Sequence, residues 1–214
     1  LVEHGAYWGS AEARELARLA EVNPPRLVDR DAWGERLDAV EYHPARHALL
    51  RRSAEAGLAV SLHDDDARDK GKRHVLRTAR LMMTAECEFA HLAVFSGTSA
   101  VLAALGAAGE VGAEWLIRAS TRRHDHRNQP VAAKAGVALA HGLVERDGTF
   151  PAAPTQNRVR ETEAGDLLLD GHAWFVQAPM ADAILVAAEG DEGTALYLVP
   201  RFRRDGTANG VEIE

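Results

Sequence analysis

The apolar residues of this 214-residue chain change their spacing near residue 136, and that change constrains the fold more than any other feature. Before it, they recur at intervals of three and four, the spacing of one face of an α-helix. After Gly136 they fall in short runs separated by turn dipeptides such as Asp170-Gly171 and Asp205-Gly206, a pattern typical of β-strands. The chain is therefore predicted to be α+β, with an α-helical domain over residues 1–136 and a β domain over residues 137–214.

Capping residues delimit the first helices. Ser10 is a candidate N-cap, and the Asn-Pro-Pro run at 23–25 ends that helix because proline lacks the amide hydrogen. Residues 26–44 show no clean period and are interpreted as irregular. A second helix is predicted over residues 45–56, with Gly57 as its C-terminal cap.

A longer helical stretch is predicted after the acidic run at 64–66, which favours a helix start. Its apolar residues extend from 72 to about 107 and include Val75, Met82 and Phe89. With a break at Ser96-Gly97, this stretch predicts a buried helical hairpin.

The second half predicts a small antiparallel β-barrel or sandwich, because several short strands follow one another with turn signals between them. The predicted strands are 137–141, 158–162, 166–169, 174–176, 183–188 and 194–199.

The composition argues against two classes of protein, those that bind nucleic acids and those that span a membrane. The net charge of −7 argues against binding to nucleic-acid phosphates, and no apolar run approaches the roughly 20 residues of a membrane span. The single cysteine, Cys87, fits a reducing cytoplasm, and its place within a predicted helix makes it a poor nucleophile. We expect a cytoplasmic protein that binds neither membrane nor nucleic acid.

Two histidine groups have spacings that could bind a metal ion. His43 and His47 lie four residues apart, which places them on one helix face, but packing at a helix start is the favoured interpretation. His124 and His126 flank Asp125 in a polar stretch that is interpreted as a solvated loop. No metal site is therefore expected.

The sequence also contains a dense basic cluster and lacks two common functional motifs. The cluster could meet a phosphate or an acidic partner, although an exposed helix end is favoured; it consists of Arg118, Arg122, Arg123 and Arg127. The sequence contains neither a glycine-rich phosphate loop nor a Gly-x-Ser-x-Gly nucleophile elbow. Local motifs alone thus predict no more than an α-then-β chain.

Four longer segments are more specific than these local motifs, and they occur in the same order as in a known family. The sequences Val-Asn-Pro-Pro-Arg-Leu at 22–27 and Tyr-His-Pro-Ala-Arg-His-Ala-Leu at 42–49 resemble the acyl-CoA dehydrogenase family, and most closely its AidB-like branch. Residues 171–183 and 198–202 are similar to the same branch. The resemblance implies an N-terminal helical domain and a middle β domain, without the family's C-terminal helical domain.

The resemblance also implies an FAD site against the β domain, formed by two loops. The residues that it places against FAD are Leu143, Val144, Thr149, Phe150, Trp174, Phe175, Val176 and Gln177. The family's catalytic carboxylate belongs to the C-terminal helical domain, so no catalytic residue is expected in this chain.

Several hydroxyl groups of the family pattern are replaced here. The family usually has threonine at Val144, serine at Phe150 and a serine or threonine near Gln177, and the AidB-like branch commonly has lysine at Ala173. Each lost hydrogen bond to a buried ligand atom costs about 1–3 kcal/mol, so weaker FAD binding is expected. Backbone amides and the Gln177 amide can still donate.

Three functions follow from the resemblance. The first is a flavoprotein subunit for α,β-dehydrogenation of an activated small acid, with a homologous or complementary partner chain that supplies the C-terminal helical domain and shares or mainly holds the FAD. The second is a non-catalytic scaffold that stabilises an active homologue. The third is a piece of a longer single-chain enzyme, which the start at Leu1 and the strand-like end at 211–214 favour.

Overall fold

A computed structural model describes residues 1–63, 71–145 and 155–214 of the chain. The predicted helix start at 64–66 and the turn at Asp147-Gly148 lie outside these residues. The six α-helices of the described residues are α1 Val2–Trp8, α2 Ala11–Val22, α3 Pro44–Glu55, α4 Arg73–Ala85, α5 Leu92–Ala107 and α6 Ala113–Ala119.

Local signals place the first helices as predicted. The Ser10 hydroxyl accepts a hydrogen bond from the backbone N–H of Ala13, which caps α2. Helix α3 begins at Pro44, whose missing N–H costs nothing in the first turn. It is followed by Gly57 in the left-handed region at φ 74°, where glycine is the least strained residue.

The predicted helical hairpin differs from the structure in two respects. The break lies between Ala85 and Leu92, whereas Ser96-Gly97 falls inside α5. The apolar residues Val75, Met82 and Phe89 are exposed, so α4 is a surface helix and not a buried one. The prediction failed because a helical spacing of apolar residues does not show whether another element covers that face.

Residues 26–44, for which the sequence predicts irregular structure, contain a β-hairpin. Its strands are β1 Arg26–Arg30 and β2 Arg36–Glu41, paired antiparallel. Nearly all of β1 is exposed, so its sequence lacks the apolar–polar alternation that a half-buried strand shows.

The described residues of the second half form one five-stranded mixed sheet. Its strands are β3 Leu139–Gly142, β4 Arg158–Glu161, β5 Leu167–Asp170, β6 Ala183–Gly190 and β7 Gly193–Pro200. Strand β6 is central, since it pairs in parallel with β3 and β4 and antiparallel with β7, while β5 pairs antiparallel with β4.

The predicted barrel is not observed, because the described strands do not close on themselves. The all-antiparallel pairing is also wrong, since two of the four strand pairs are parallel. A parallel pair joins strands that are far apart in sequence, so local turn signals cannot indicate it. The strand predicted over 174–176 is reduced to a single bridge at Trp174.

Helices and sheet share one hydrophobic core. Helix α5 packs on β3, where the hydroxyl of Thr98 donates to the carbonyl of Leu139 and accepts from its N–H, at 3.1 and 3.0 Å. The largest buried cluster takes residues from α3, α5 and α6 and from β3 and β6. The boundary at 136/137 stays a prediction, but residues on both of its sides fill this core.

Candidate functional site

The described parts of the two loops that the family resemblance assigns to FAD lie side by side. Val144 and Trp174 form an isolated antiparallel bridge, in which the Trp174 N–H donates to the Val144 carbonyl at 2.7 Å. Thr149 and Phe150 lie outside the described residues, so the contact is made by the parts at 143–145 and 171–177. Two segments that are about thirty residues apart thus form one continuous surface.

Two glycines allow this close approach. A Cβ atom at Gly142 would lie 2.5 Å from the Cβ of Ala173, and one at Gly171 would lie 2.1 Å from Oδ1 of Asn157. Both distances are far below van der Waals contact, so any larger residue at either position would push the loops apart.

Buried polar side chains fix both loops to the sheet. Asn157 donates to the Ala187 carbonyl of β6 and accepts from the His172 N–H, each at 2.9 Å. Glu145 is buried, accepts from the Thr155 hydroxyl, and accepts from the Gln156 N–H at 2.8 Å. These hydrogen bonds give the loops defined positions before any ligand arrives.

An aromatic pair projects from the second loop. Trp174 is 45% exposed and Phe175 is 75% exposed, and their rings meet edge to face at 5.6 Å. Phe175 has a left-handed backbone at φ 55°, which ends the extended conformation after Trp174 and explains the missing strand. Two large aromatic surfaces exposed at a fixed position are typical of a binding surface.

The other predicted residues differ in exposure. Leu143 and Val144 are half-buried, Val176 packs against a small alanine cluster under the loop, and Gln177 is exposed. Neither Val144 nor Gln177 carries a hydroxyl group, so among the described loop residues hydrogen bonds to a ligand fall to backbone groups and to the Gln177 amide.

Two of the four arginines of the basic cluster form ion pairs with carboxylates. Arg118 contacts Glu114 one helical turn away at 3.2 Å, and Arg127 contacts Asp125 at 2.5 Å. The Arg127 guanidinium and backbone hydrogen bonds hold the pKa of Asp125 well below its usual range. These pairs favour the interpretation of the cluster as a surface feature.

Sequence reasoning missed a Ser–His–Glu chain beneath α3. Ser53 Oγ lies 2.8 Å from His91 Nε2, and His91 Nδ1 contacts the Glu88 carboxylate. This order is that of a hydrolase triad, but Ser53 and His91 are fully buried and Trp8 stacks on the imidazole at 5.6 Å. The arrangement therefore stabilises the start of α5 and is closed to a substrate.

Cys87 lies in the turn after α4, not within a helix. Burial, followed by the charge of Glu88, raises the pKa of its thiol. A raised pKa lowers the thiolate fraction at neutral pH, so Cys87 remains a poor nucleophile.

The structure separates His43 from the other three histidines of the two predicted groups. His43 caps α3 by accepting from the Ala45 N–H at 3.2 Å. His47, His124 and His126 come together, although the sequence placed them in a helix and a distant loop. Burial, followed by neighbouring histidine and arginine charges, lowers the pKa of His47 to about 4, and burial with neighbouring charges lowers that of His124 to about 3.

None of the described helices is long and apolar enough to span a bilayer.

Comparison with known proteins places the chain in a family. Residues 1–126 match the family model described as the adaptive response protein AidB N-terminal domain. Over 218 residues the chain is 34% identical to AidB of Escherichia coli (strain K12), which carries the name of an acyl-CoA dehydrogenase. Over 217 residues it is 25% identical to acyl-CoA dehydrogenase family member 11 of Caenorhabditis elegans.

Solved structures share the fold. The apo form of Bd2924 has a TM-score of 0.78 at 21% identity, with 99% of this chain and 43% of that chain covered. The structure of C. elegans ACDH-11 in complex with C11-CoA has a TM-score of 0.72 at 23% identity, with 94% and 35% covered.

The matches cover nearly all of this chain but only part of its relatives. They include 100% of the chain and 39% of E. coli AidB, and 95% of the chain and 34% of the C. elegans protein. The order of the four segments quoted above and the family-model match over more than half of the residues agree with each other. The chain belongs to the AidB-like branch of the acyl-CoA dehydrogenase family.

Proposed function

We propose that this chain forms one wall of an FAD site in an acyl-CoA dehydrogenase-like flavoprotein, which removes two hydrogens from the α- and β-carbons of an activated small acid. The Val144–Trp174 bridge carries the proposal, because it joins the two loops that family resemblance assigns to FAD. The bridge comes from the fold of this chain, so it supports the assignment independently of the matched residues.

The residues present suit the flat, apolar part of a flavin better than its phosphates. Trp174 and Phe175 offer exposed ring faces on which an isoalloxazine ring can stack. The backbone N–H of Trp174 already donates to Val144 in the bridge, and the Val144 side chain has no hydrogen-bond donor. Binding would therefore rest on stacking, on the remaining backbone groups and on the exposed Gln177 amide.

The chemistry of the bound cofactor would be acceptance of a hydride from the β-carbon of the substrate. The role of this chain is to orient the ring and to exclude water from one of its sides. The loop residues suit that role because Asn157 and Glu145 hold them in place.

The rest of the site would come from a C-terminal helical domain, which also supplies the base that removes the α-proton. This chain spans about two fifths of the length of E. coli AidB, which supports a contribution from a further region. We propose that a homologous or complementary partner subunit supplies that region. The ACDH-11 structure holds C11-CoA, which supports a CoA thioester as the activated acid.

Replacement of Trp174 tests the wall directly. The chain is purified together with its partner subunit and freed of FAD. FAD is then titrated into this complex while flavin fluorescence is followed, since stacking on an indole quenches it. Loss of one aromatic stacking partner costs about 1–3 kcal/mol, so Trp174→Ala is expected to weaken FAD binding by about 5- to 150-fold.

Trp33 supplies the matched control. It is 87% exposed at the turn of the β1–β2 hairpin, so Trp33→Ala removes the same side chain from an exposed site outside the two loops. Its FAD affinity should equal that of the unmodified protein. Equal affinities of the Trp174 and Trp33 variants, or no quenching by the unmodified protein at all, would show that the surface is not a flavin wall.

A non-catalytic scaffold is the second candidate, and the missing hydroxyl groups at Val144 and Gln177 favour it. In that case the chain would bind an active homologue through the same region without holding FAD itself. The two candidates differ in how FAD affinity responds when hydroxyl groups are restored.

A further inference from the structure

Three histidines from two distant parts of the chain converge at one place on the molecule. His47 lies on α3, and His124 and His126 lie in the irregular segment that follows α6. One ring nitrogen of each histidine falls within 4.8 Å of those of the other two. The FAD proposal does not use these side chains.

The closest pair already has the spacing of two metal ligands. Nδ1 of His47 and Nε2 of His124 are 3.2 Å apart. Two nitrogens bound to one tetrahedral Zn²⁺ at 2.0–2.1 Å lie about 3.3 Å apart, so the separation of this pair already suits a shared ion once the two rings turn their lone pairs towards it.

The third ligand is the adjustable one. The His126 ring stacks on the His47 ring at 4.2 Å, with 28° between their planes. A metal ion lies in the plane of each imidazole that binds it, so His126 must turn about its side-chain bonds to join. His126 is exposed, and this rotation meets little obstruction.

Both elements that carry the histidines are held firmly. On the α3 side, Leu49 and Leu50 are buried in the core directly after His47. On the loop side, the Asp125 carboxylate accepts from the Ala135 N–H at 2.9 Å and from the Arg127 guanidinium, so it is directed to its own neighbours.

We propose that His47, His124 and His126 bind one Zn²⁺ ion through three imidazole nitrogens, with a fourth position open to water, and so join α3 to the segment that leads into the sheet. Three nitrogens without a carboxylate select a borderline ion such as Zn²⁺ over Mg²⁺ or Ca²⁺, which prefer oxygen.

Calorimetric titration of Zn²⁺ into the chelator-treated protein tests the site. The unmodified protein should bind one equivalent of Zn²⁺, and its melting temperature should rise when the ion is added. Loss of an outer-shell partner alone costs 10- to 100-fold in metal affinity, so His126→Ala should lower Zn²⁺ affinity by more than about 100-fold. His126 is exposed, so its removal should not disturb the metal-free fold.

Two further variants make the result specific. His74 is an exposed histidine on α4 outside the cluster, and His74→Ala should bind Zn²⁺ like the unmodified protein. His126→Cys should retain tight binding, because a thiolate is also a zinc ligand. The proposal would be overturned if the unmodified protein took up no stoichiometric Zn²⁺, or if His126→Ala bound it as tightly as His74→Ala.

Discussion

The side chain of Asp182 lies buried beside Lys134, with 2.5 Å between Nζ and the carboxylate, and it accepts from the Ala138 N–H at 2.9 Å. Burial raises the pKa of Asp182 more strongly than the Lys134 ammonium lowers it. The pair joins the segment before β3 to the start of β6. Because 48 residues separate the two partners, no local pattern in the sequence could pair them.

The candidate site shows the same limit at the residue scale. The family pattern placed Val144 and Trp174 against one ligand, and the structure brings them into contact. The histidine cluster was missed, because His47 and His124 lie 77 residues apart and each had a sufficient local explanation. Sequence reasoning could therefore name candidate residues where a family precedent exists, and it missed a cluster that only the fold assembles.

Restoring the missing hydroxyl groups separates a working FAD site from a scaffold. Each added hydrogen bond contributes about 0.5–1.5 kcal/mol, so the two bonds added by Val144→Thr combined with Gln177→Ser should raise FAD affinity by about 5- to 150-fold if the wall holds FAD. The measurement is FAD titration of the variant beside Val144→Ala with Gln177→Ala, which also removes the native side chains but adds no donor. Equal FAD affinities of the two double variants would favour the scaffold.

At the scale of elements, the helices and strands that the sequence could predict are those with one buried face. Helices α2 and α3 carry caps and a buried side, and both lie within a few residues of their predicted bounds. Strands β1 and β2 form an exposed hairpin, whose charged residues hide its alternation. The parallel pairs of β6 were not predictable either, because the sequence pattern of a strand does not name its neighbour.

The junction of α5 and β3 offers a test at this scale. Thr98→Val removes the hydroxyl that bonds both backbone groups of Leu139 and leaves them buried without those partners. We expect the free energy of unfolding to fall by about 1–3 kcal/mol, measured by urea denaturation.

An exposed threonine provides the control for that measurement. Thr78 lies on the exposed side of α4, and Thr78→Val should change the free energy of unfolding by less than about 0.5 kcal/mol. If both variants unfolded at the same urea concentration, the Thr98 hydroxyl would not stabilise the junction.

At the scale of the whole molecule, the two predicted parts are less separate than the change in periodicity indicated. The largest cluster of buried residues includes Phe95 of α5, Leu139 of β3 and Leu185 of β6. Periodicity reports the type of each element but not which elements share a core. The open sheet also exposes large apolar residues such as Leu167 and Leu196, which a closed barrel would have covered.

The partner proposal predicts a clear difference in cofactor content. The chain purified alone should retain little flavin absorbance, whereas co-expression with the proteins encoded beside it should give a yellow complex that contains it. Intact mass of the natural protein shows whether the helical region belongs to the same polypeptide. A colourless preparation in every context, or stoichiometric FAD on the chain alone, would contradict a site shared between subunits.

Phe175 holds its ring outward on a left-handed backbone that costs an ordinary side chain about 1–2 kcal/mol. Glycine would adopt the same conformation at no such cost, so within the fold only the edge-to-face contact with Trp174 offsets the strain of phenylalanine there. A library of variants selected for heat resistance alone should therefore drift towards glycine at this position. The same library selected for the yellow colour of bound FAD should keep an aromatic residue. The difference between the two outcomes would measure how much the Phe175 ring contributes to FAD binding.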